Sequence, residues 1–378
     1  MDAFVEAAST LGARKNSDFN SGMQEGVGYF QFANHNGRRS SSATAYLSKS
    51  SPNLNIVTNA LCDRIVFEGK RAVAVSCVGG GDRRFFRARA EIILSAGSFG
   101  TPQLLQLSGV GPGALLSALG IDPILDLQGV GENYQDHFES RVVFECTRKI
   151  TINDTYNSIA RRLAMVARYL VARSGPMAGA GTMGGGFFCL NPASPFPDCQ
   201  INFGVWSTSR GLGAENAPLL DPFSAFRLTV VDLAPEARGR VRITSPSVEE
   251  LPHISAPFLE TERDKAMIVR CMKLARVIAA APPLKDLSRR EVVPGSGYDS
   301  DEELLNYAKQ FGLPNFHAVG TCRMGSDHKA VVDPHLRLRG ADGLRIADGS
   351  IIPIIPNGNT NAACTMIGEK AAALISGR

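Results

Sequence analysis

The sequence predicts a mixed fold, part α/β and part α+β, from three observations. A short apolar run, Ile92–Leu94, leads into a glycine turn and a helical pattern, which is typical of a buried parallel strand that ends at a ligand-bearing turn. A second strand, turn and helix follow from residue 343 onward. Between them, residues 138–309 mix strand-like pieces with amphipathic helices, which predicts a second, largely antiparallel domain.

The first elements follow from local patterns. Residues 2–11 have apolar side chains at helical spacing and end at Gly12. Residues 37–47 predict a loop that leads into a short helix. Residues 53–97 predict successive strands, because β-branched residues such as Ile56 and Val57 alternate with the turns "EGKR" and "GGGD".

The next helix has a clear sequence signature. Thr101 is predicted to cap it, Pro102 to occupy its first position and Ser108-Gly109 to end it. In the middle of the chain, the glycine-rich segment 175–188 is interpreted as flexible, either a mobile cover or a surface loop. The predicted strands there are Arg141–Cys146, Gln200–Trp206, Arg227–Leu233 and Arg240–Thr244, and the predicted helices are Ile159–Arg173 and Ala266–Ala281.

Composition argues against several classes of protein. The formal charge is +4 and the Lys and Arg residues are scattered, which gives no case for a nucleic-acid partner or a membrane surface. No apolar run approaches the roughly 20 residues of a membrane helix. The start, "MDAFVEAAST", has acidic residues and no cleavage-site pattern, so no signal peptide is expected. The eight cysteines include no CxxC pair, which predicts reduced thiols in a cytoplasmic-type compartment.

His317, in "PNFHAVGTCRMGS", is the main candidate for chemistry. On its own it could be a metal ligand, the partner of a nucleophile, a proton acceptor or a packed ring. A zinc site made of Cys322, His328 and His335 is conceivable but disfavoured, because structural zinc sites usually draw paired ligands from tight turns. We therefore expect no metal.

Three long motifs carry a resemblance to a known family. They are "GSFGTPQLLQLSGVGP" (97–112), "HAVGTCRMG" (317–325) and "LRIADGSIIPIIPNGNTNAACTMIGEKAA" (344–372). Shorter matches are "GRRSSSATAYL", "LQGVGENYQDH" and "APEARGRVRITSP". With these motifs the chain, from about residue 20 onward, resembles the glucose-methanol-choline (GMC) family of FAD-dependent oxidoreductases.

The resemblance implies an FAD-binding domain made of residues 1–137 and 310–378, and a substrate-binding domain of residues 138–309. One departure stands out, because family members open with a strand and a GxGxxG turn that holds the pyrophosphate. Neither "GVGYFQ" nor "GVGPGA" follows a buried strand with an acidic residue about 20 positions later. We therefore expect the opening βαβ unit to be absent and the Rossmann-like domain to be incomplete.

The resemblance also implies catalytic roles. His317 would take the hydroxyl proton of an alcohol while a hydride leaves for the flavin, and a neutral imidazole suits that task near neutral pH. Asn361 would be its partner, donating a hydrogen bond to the substrate oxygen. The alternative reading of Asn361 is that it only caps the helix that follows it.

The cofactor contacts are likewise implied by the resemblance. Backbone groups at Cys62 would meet the adenine, Ala96 and Gly97 the adenosine half, and Asp348 and Gly349 the pyrophosphate and ribitol. The start of the last helix, predicted from about Ala363, would face the pyrimidine edge of the flavin and stabilise its reduced form. Its contact residues would be Asn359, Thr360, Asn361 and Ala362.

The function that follows is oxidation of a small-molecule alcohol to an aldehyde or ketone, with oxygen or a quinone as the electron acceptor. Two alternatives stay open: a truncated chain without turnover, or a flavin-dependent lyase of the same fold. Candidate residues to line the substrate pocket are Trp206, Phe203 and Phe316. No carboxylate stands out as a cation-binding group, so a quaternary ammonium substrate is not favoured.

Overall fold

The structure is a computed structural model that describes residues 1–47, 51–79, 82–179, 181–208 and 220–377. Its helices are α1 (Asp2–Thr10), α2 (Ser42–Tyr46), α3 (Gly97–Leu107), α4 (Gly113–Ala118), α5 (Ile152–Tyr156), α6 (Ile159–Ala172), α7 (Glu262–Ala279), α8 (Leu284–Leu287), α9 (Asp301–Phe311) and α10 (Thr360–Ser376). Short 3₁₀ helices lie at Pro176–Ala178 and Gly349–Ile351. Over the described ranges, no helix is long and apolar enough to cross a membrane.

The strands are β1 (Gly26–Tyr29), β2 (Asn34–His35), β3 (Arg38–Arg39), β4 (Leu61–Glu68), β5 (Arg71–Gly79), β6 (Asp82–Arg87), β7 (Ile92–Leu94), β8 (Val110–Gly111), β9 (Leu125–Asp126), β10 (Glu132–Tyr134), β11 (Phe138–Cys146), β12 (Thr182–Phe188), β13 (Cys199–Gly204), β14 (Ala225–Asp232), β15 (Gly239–Arg242), β16 (His253–Ser255), β17 (Ser288–Val293), β18 (Leu313–Pro314) and β19 (Leu344–Ile346). This mixture of helices with antiparallel and parallel strands confirms the predicted α/β and α+β class.

The chain forms two compact units, each built from three segments. Unit 1 comprises Met1–Ser50, His137–Pro235 and Leu259–Asn315. Unit 2 comprises Ser51–Asp136, Glu236–Phe258 and Phe316–Arg378. The assignment of residues 1–137 and 310–378 to a cofactor domain, and of 138–309 to a substrate domain, stays a prediction.

Unit 1 is organised around an antiparallel sheet with the strand order β1-β12-β13-β14-β11-β17, and β18 also pairs with β11. One face of this sheet is apolar, because Phe203, Phe226 and Phe144 pack against one another across β13, β14 and β11. Phe4 of α1 stacks on Phe203 at 5.0 Å. Helix α7 packs on the same strands and buries apolar side chains at helical spacing, which completes the core of this unit.

Helix α7 begins where the chain supplies its capping groups. The Thr261 side chain accepts a hydrogen bond from the Asp264 amide, and Glu262 and Asp264 place negative charge in the first turn. Asp264 is buried, and Arg263 of the same turn bonds Asp232 at the end of β14 at 2.7 Å. The predicted helix, Ala266–Ala281, is confirmed apart from its boundaries.

Unit 2 contains several small sheets. The strands β4, β5 and β6 form an antiparallel meander, and β10, β15 and β16 form a second one. The strands β7 and β19 pair in parallel, Leu344 with Ile92 and Ile346 with Leu94, which confirms the predicted parallel strand at Ile92–Leu94. Their side chains join one apolar core with those of α3 and α10.

Helix α3 begins at Gly97, so the predicted start at Thr101 and Pro102 is wrong. Pro102 lies inside the helix and has no N–H to donate to the carbonyl of Ser98, four residues earlier. The Thr321 hydroxyl donates to that carbonyl instead, at 2.7 Å. Because this donor satisfies the Ser98 carbonyl, the helix can begin at Gly97 and not at the proline.

Two further predictions are wrong. Ile56 and Val57 are exposed and lie outside any strand, since the meander begins at Leu61. The glycine-rich segment is not simply a loop, because Thr182–Phe188 forms β12 between β1 and β13. Its glycines fit the sheet closely: a Cβ at Gly185 would meet the carbonyl oxygen of Ile201. Ala180, in the same segment, lies outside the described residues.

Candidate active site

The parallel strands of unit 2 end side by side, and Asp348 joins the two ends. Its carboxylate accepts hydrogen bonds from the Gly97 amide at 3.0 Å and from the Thr101 hydroxyl at 2.6 Å. The other carboxylate oxygen accepts from the Ser350 amide at 2.8 Å. Carboxyl ends of parallel strands are where α/β sheets bind ligands. Asp348 thus fixes the turn after β7 against the turn after β19.

Gly349 is the point at which three segments meet. A Cβ there would lie 3.3 Å from Sγ of Cys364 in α10, and 3.6 Å both from Oγ of Ser98 in α3 and from the carbonyl oxygen of Ala318. The Ser98 hydroxyl itself donates to the Ala318 carbonyl at 2.7 Å. A Cβ at Gly349 would press slightly on the Cys364 sulfur and make ordinary contact with the other two atoms, so little room is left for a larger side chain.

The segment that carries His317 is held along its whole length by backbone hydrogen bonds. Val319 and Gln135 exchange two of them, at 2.9 and 3.0 Å. The Cys322 amide donates to the Ser350 carbonyl at 2.8 Å, which ties the segment to the 3₁₀ turn after Asp348. The His317 amide donates to the Asp136 carboxylate at 2.8 Å. The backbone of the histidine is therefore fixed independently of its ring.

The His317 ring contacts the side chain of Asn359, with 2.9 Å between Nε2 of the ring and Nδ2 of the amide. An amide nitrogen can only donate, so Nε2 accepts, and the proton of the neutral ring lies on Nδ1. Asn359 is the N-cap residue of α10, yet its side chain makes no capping bond to the helix. The amide is used to orient the histidine.

The charge state of His317 follows from its surroundings. The residue is only 8% exposed. Burial lowers its pKa from 6.5 to about 4, because the protonated ring would lose its hydration. The ring is therefore neutral near pH 7 and has a lone pair on Nε2, which is the state a proton acceptor needs.

The other predicted residues lie in the first turn of α10 or on the meander sheet. Thr360 is buried, whereas Asn361 and Ala362 are exposed. The Asn361 carbonyl accepts from Thr365, and the amide that the structure brings to His317 belongs to Asn359. Because α10 begins at Thr360, Asn361 lies inside the helix and does not cap it.

Ala96 is exposed and precedes Gly97, which has a positive φ of 77° and no atom within 4 Å of its Cβ position. Cys62 lies opposite Cys77 on the β4–β5 ladder, in a different sheet from β7 and β19. Burial, followed by the nearby Cys77 thiol, raises the pKa of Cys62 to about 12. Cys62 is therefore a neutral thiol, and its side chain offers no charge to a ligand.

Sequence reasoning missed Asp136 and Gln135, although both stand in the quoted motif "LQGVGENYQDH". Gln135 donates to the Pro353 carbonyl at 3.1 Å and accepts from the Ile355 amide at 3.1 Å. The signal was the run of amide and acid side chains in that motif. The side chains of Gln135 and Asp136 hydrogen-bond backbone groups of other segments, which the spacing of the motif does not reveal.

The candidate pocket residues have different positions. Phe203 is buried in the core of unit 1, stacked between Phe4 and Phe226, so the proposal that it lines a pocket is wrong. Trp206 lies in the same unit beside Arg227. Phe316, in unit 2, is 86% exposed and has a positive φ of 58°, uncommon for a bulky residue.

Two family models and several known proteins match this chain. The N-terminal model of the GMC oxidoreductase family matches residues 1–139, and the C-terminal model matches residues 235–368. The first match starts at residue 1, so it does not confirm the expected absence of the opening βαβ unit. An oxygen-dependent choline dehydrogenase of Pseudomonas putida is 39% identical over 383 residues, covering 100% of this chain and 66% of that protein. One of Brucella anthropi is 37% identical over 381 residues, covering 100% and 68%.

Solved structures of similar fold also match this chain. Pyridoxine 4-oxidase from "Mesorbium loti" has a TM-score of 0.87 at 28% identity, with 100% of this chain and 69% of that chain covered. A formate oxidase of Aspergillus oryzae, solved to study modification of its FAD, has a TM-score of 0.93 at 25% identity, covering 99% and 69%. The chain spans about two thirds of the length of the curated relatives it matches. It belongs to the GMC oxidoreductase family, whose members are FAD-dependent flavoproteins.

Proposed function

We propose that this chain carries the catalytic part of an FAD-dependent oxidoreductase that oxidises an alcohol to an aldehyde or ketone. The observation that carries the proposal is the ring of His317, which is buried, neutral and oriented through Nε2 by Asn359. The similar proteins are named as oxidases or dehydrogenases of small molecules, which supports the same class of reaction.

The residues of unit 2 fit a flavin nucleotide. Gly97 follows the end of β7 and leaves open space where a Cβ would stand, so a planar group can approach its backbone. Within the described part of the chain, the N-cap side chain makes no capping bond to α10, so the first turn can offer N–H groups and the positive end of a 17-residue helix to a ligand. By family resemblance, Ala96, Gly97, Asp348, Gly349 and residues 359–362 would hold the cofactor.

When bound, FAD supplies the acceptor of the hydride. His317 takes the hydroxyl proton at Nε2, the atom that now accepts from Asn359. A substrate hydroxyl would replace the Asn359 N–H at that atom, and the released amide could then donate to the substrate oxygen. Asp136 holds the backbone of His317 throughout, so the ring need not move to reach the proton. The resemblance gives this role to Asn361, in the first turn of α10, and that assignment stays a prediction.

Mixing the purified protein with FAD and removing the excess tests the proposal. We expect a visible flavin band that bleaches under anaerobic conditions when an alcohol is added. A protein that stays colourless at saturating FAD contradicts the proposal, and so does a band that no alcohol bleaches. The second result would favour a lyase, which uses the flavin site without reducing the cofactor.

A further inference from the structure

The antiparallel sheet of unit 1 has a polar region around Arg227. Directly paired residues of neighbouring strands share a face, and Arg227 pairs with Gly204 on β13 and with Val143 on β11. Thr229 and Arg141, two residues further along their strands, pair with each other and lie on this same face. The opposite face is the apolar one that packs under α7. Arg227 therefore points away from the core that holds the unit together.

The side chain of Arg227 stacks on Trp206, the only tryptophan of the chain. Its guanidinium carbon lies 3.6 Å from the ring centre of Trp206. Glycines make room for the stack: a Cβ at Gly204 would lie 3.0 Å from Cγ of Arg227, and one at Gly181 would lie 2.5 Å from Nε1 of Trp206. Stacking a guanidinium on an indole is favourable and fixes its plane. The cation is thus held in one orientation before any ligand arrives.

The charge of Arg227 is poorly compensated by its surroundings. Its Nε is buried and has no hydrogen-bond partner among the described residues. Burial lowers the pKa of Arg227 to about 10, while the nearby Glu139 raises it and Arg141 lowers it further. The group still carries its charge near pH 7. Burying a charge with an unused donor is costly, and an anion placed against it would recover part of that cost.

We propose that Arg227 and Trp206 form a binding site for a small organic carboxylate. The two terminal nitrogens of a guanidinium form a fork that matches the two oxygens of a carboxylate, so a ligand can bond them while Nε stays buried. The indole covers one side of the fork and reduces competition from water. The ligand class is a small molecule that bears a carboxylate. That this molecule is also the alcohol substrate rests on the proposed function and on the substrate-binding role that the resemblance implies for residues 138–309.

The fluorescence of Trp206 reports binding without any turnover, since no other tryptophan is present. Three primary alcohols that differ in charge serve as probes: γ-hydroxybutyrate, n-butanol and choline. We expect a saturable change with γ-hydroxybutyrate and none with the other two at the same concentrations. An equal response to choline or to n-butanol overturns the proposal, and this comparison needs only the wild-type protein.

Substitutions locate the site. Arg227→Gln should weaken binding of γ-hydroxybutyrate about tenfold or more, and Arg227→Lys, which keeps the charge but loses the fork, should weaken it less. The control is Arg162→Gln, which removes an exposed arginine 5.6 Å from the ring of Tyr156 in the same unit. Unchanged binding in folded Arg227→Gln overturns the site. Selective binding of γ-hydroxybutyrate without flavin bleaching would support the site and contradict the proposed function. Bleaching by n-butanol without selective binding would support the proposed function and contradict the site.

Discussion

Nδ2 of Asn359 lies 2.9 Å from Nε2 of His317, so the residue that starts α10 is joined by its side chain to the histidine of a separate segment. This contact selects the tautomer of the ring and aims its lone pair. It also couples the position of the helix terminus to the position of the base. The Asp136 carboxylate holds the backbone amide of His317.

Replacing Asn359 by Asp should change the protonation of His317. A carboxylate beside Nε2 favours the protonated ring and raises its pKa above the value of about 4 that burial imposes. Flavin reduction should then reach its full rate only at a higher pH than in the wild type. Titration of the ring protons by NMR and the pH profile of the rate both measure this change.

Asn361→Asp is the matched control for that experiment. It makes the same change of charge two residues further on, at an exposed position whose side chain is not the one that contacts His317. Its ring titration should stay close to that of the wild type. If Asn361→Asp shifts the His317 titration and Asn359→Asp does not, the assignment of the orienting amide is wrong.

His317 should also make folding stability depend on pH. The folded pKa of about 4 lies below the ordinary value of 6.5, so between these values the unfolded chain binds more protons than the folded one. The contribution of His317 to the free energy of unfolding should therefore be fully present above about pH 6.5. It should fall as the pH drops toward 4 and then level off, after a total loss of about 3 kcal/mol. Urea unfolding at several pH values measures it. His317→Asn should flatten this part of the curve, whereas His335→Asn, at an exposed position, should leave it unchanged.

Thr321→Val should destabilise unit 2. The Thr321 hydroxyl is the donor for the Ser98 carbonyl that Pro102 cannot serve, and the substitution leaves that carbonyl without this donor. We expect a cost of about 1–3 kcal/mol in the free energy of unfolding, measured by urea denaturation. In Thr365→Val the hydroxyl lost is partly exposed, and the helix ladder still serves the Asn361 carbonyl, so its cost should be below about 0.5 kcal/mol. Equal effects of the two substitutions would show that the bond to Ser98 has no special role.

Asp348→Asn should loosen the junction between the two parallel strands. Both carboxylate oxygens accept hydrogen bonds, so an amide places a donor against the donors of Gly97, Thr101 or Ser350. We expect destabilisation of about 2–3 kcal/mol and weaker retention of FAD, measured by thermal unfolding and by flavin absorbance after dialysis. Asp327→Asn breaks an ion pair with Arg323 in which the acid is 48% exposed, and it should cost clearly less than Asp348→Asn. A similar loss in both variants would contradict the role of Asp348.

Much of the fold could be predicted, because the signals are local. The helices at 2–11, 159–173 and 266–281 follow from apolar spacing, and the parallel strand at Ile92–Leu94 from a short apolar run before a glycine turn. The start of α3 could not be predicted from local rules. The donor that replaces the missing proline N–H is Thr321, more than two hundred positions away in the chain, which no local pattern connects to Ser98.

Sequence reasoning named His317 as the base and Asn361 as its amide partner, and both roles stay predictions. The side chain that contacts the His317 ring is that of Asn359, two residues before Asn361. The sequence predicts a start near Ala363, and the observed start at Thr360 makes Asn359 the cap and turns its side chain toward the ring. The contact of Asp136 with the His317 amide joins residues 181 positions apart in the chain, which the motif alone does not reveal.

The central claim, that His317 accepts the hydroxyl proton, is tested most directly by anaerobic stopped-flow measurement of flavin reduction in wild type and His317→Asn. Both proteins must first show bound flavin, so that only the reaction is compared. We predict that the substitution slows reduction by about 100-fold or more at neutral pH. Reduction of the bound flavin at the wild-type rate in His317→Asn would contradict the claim.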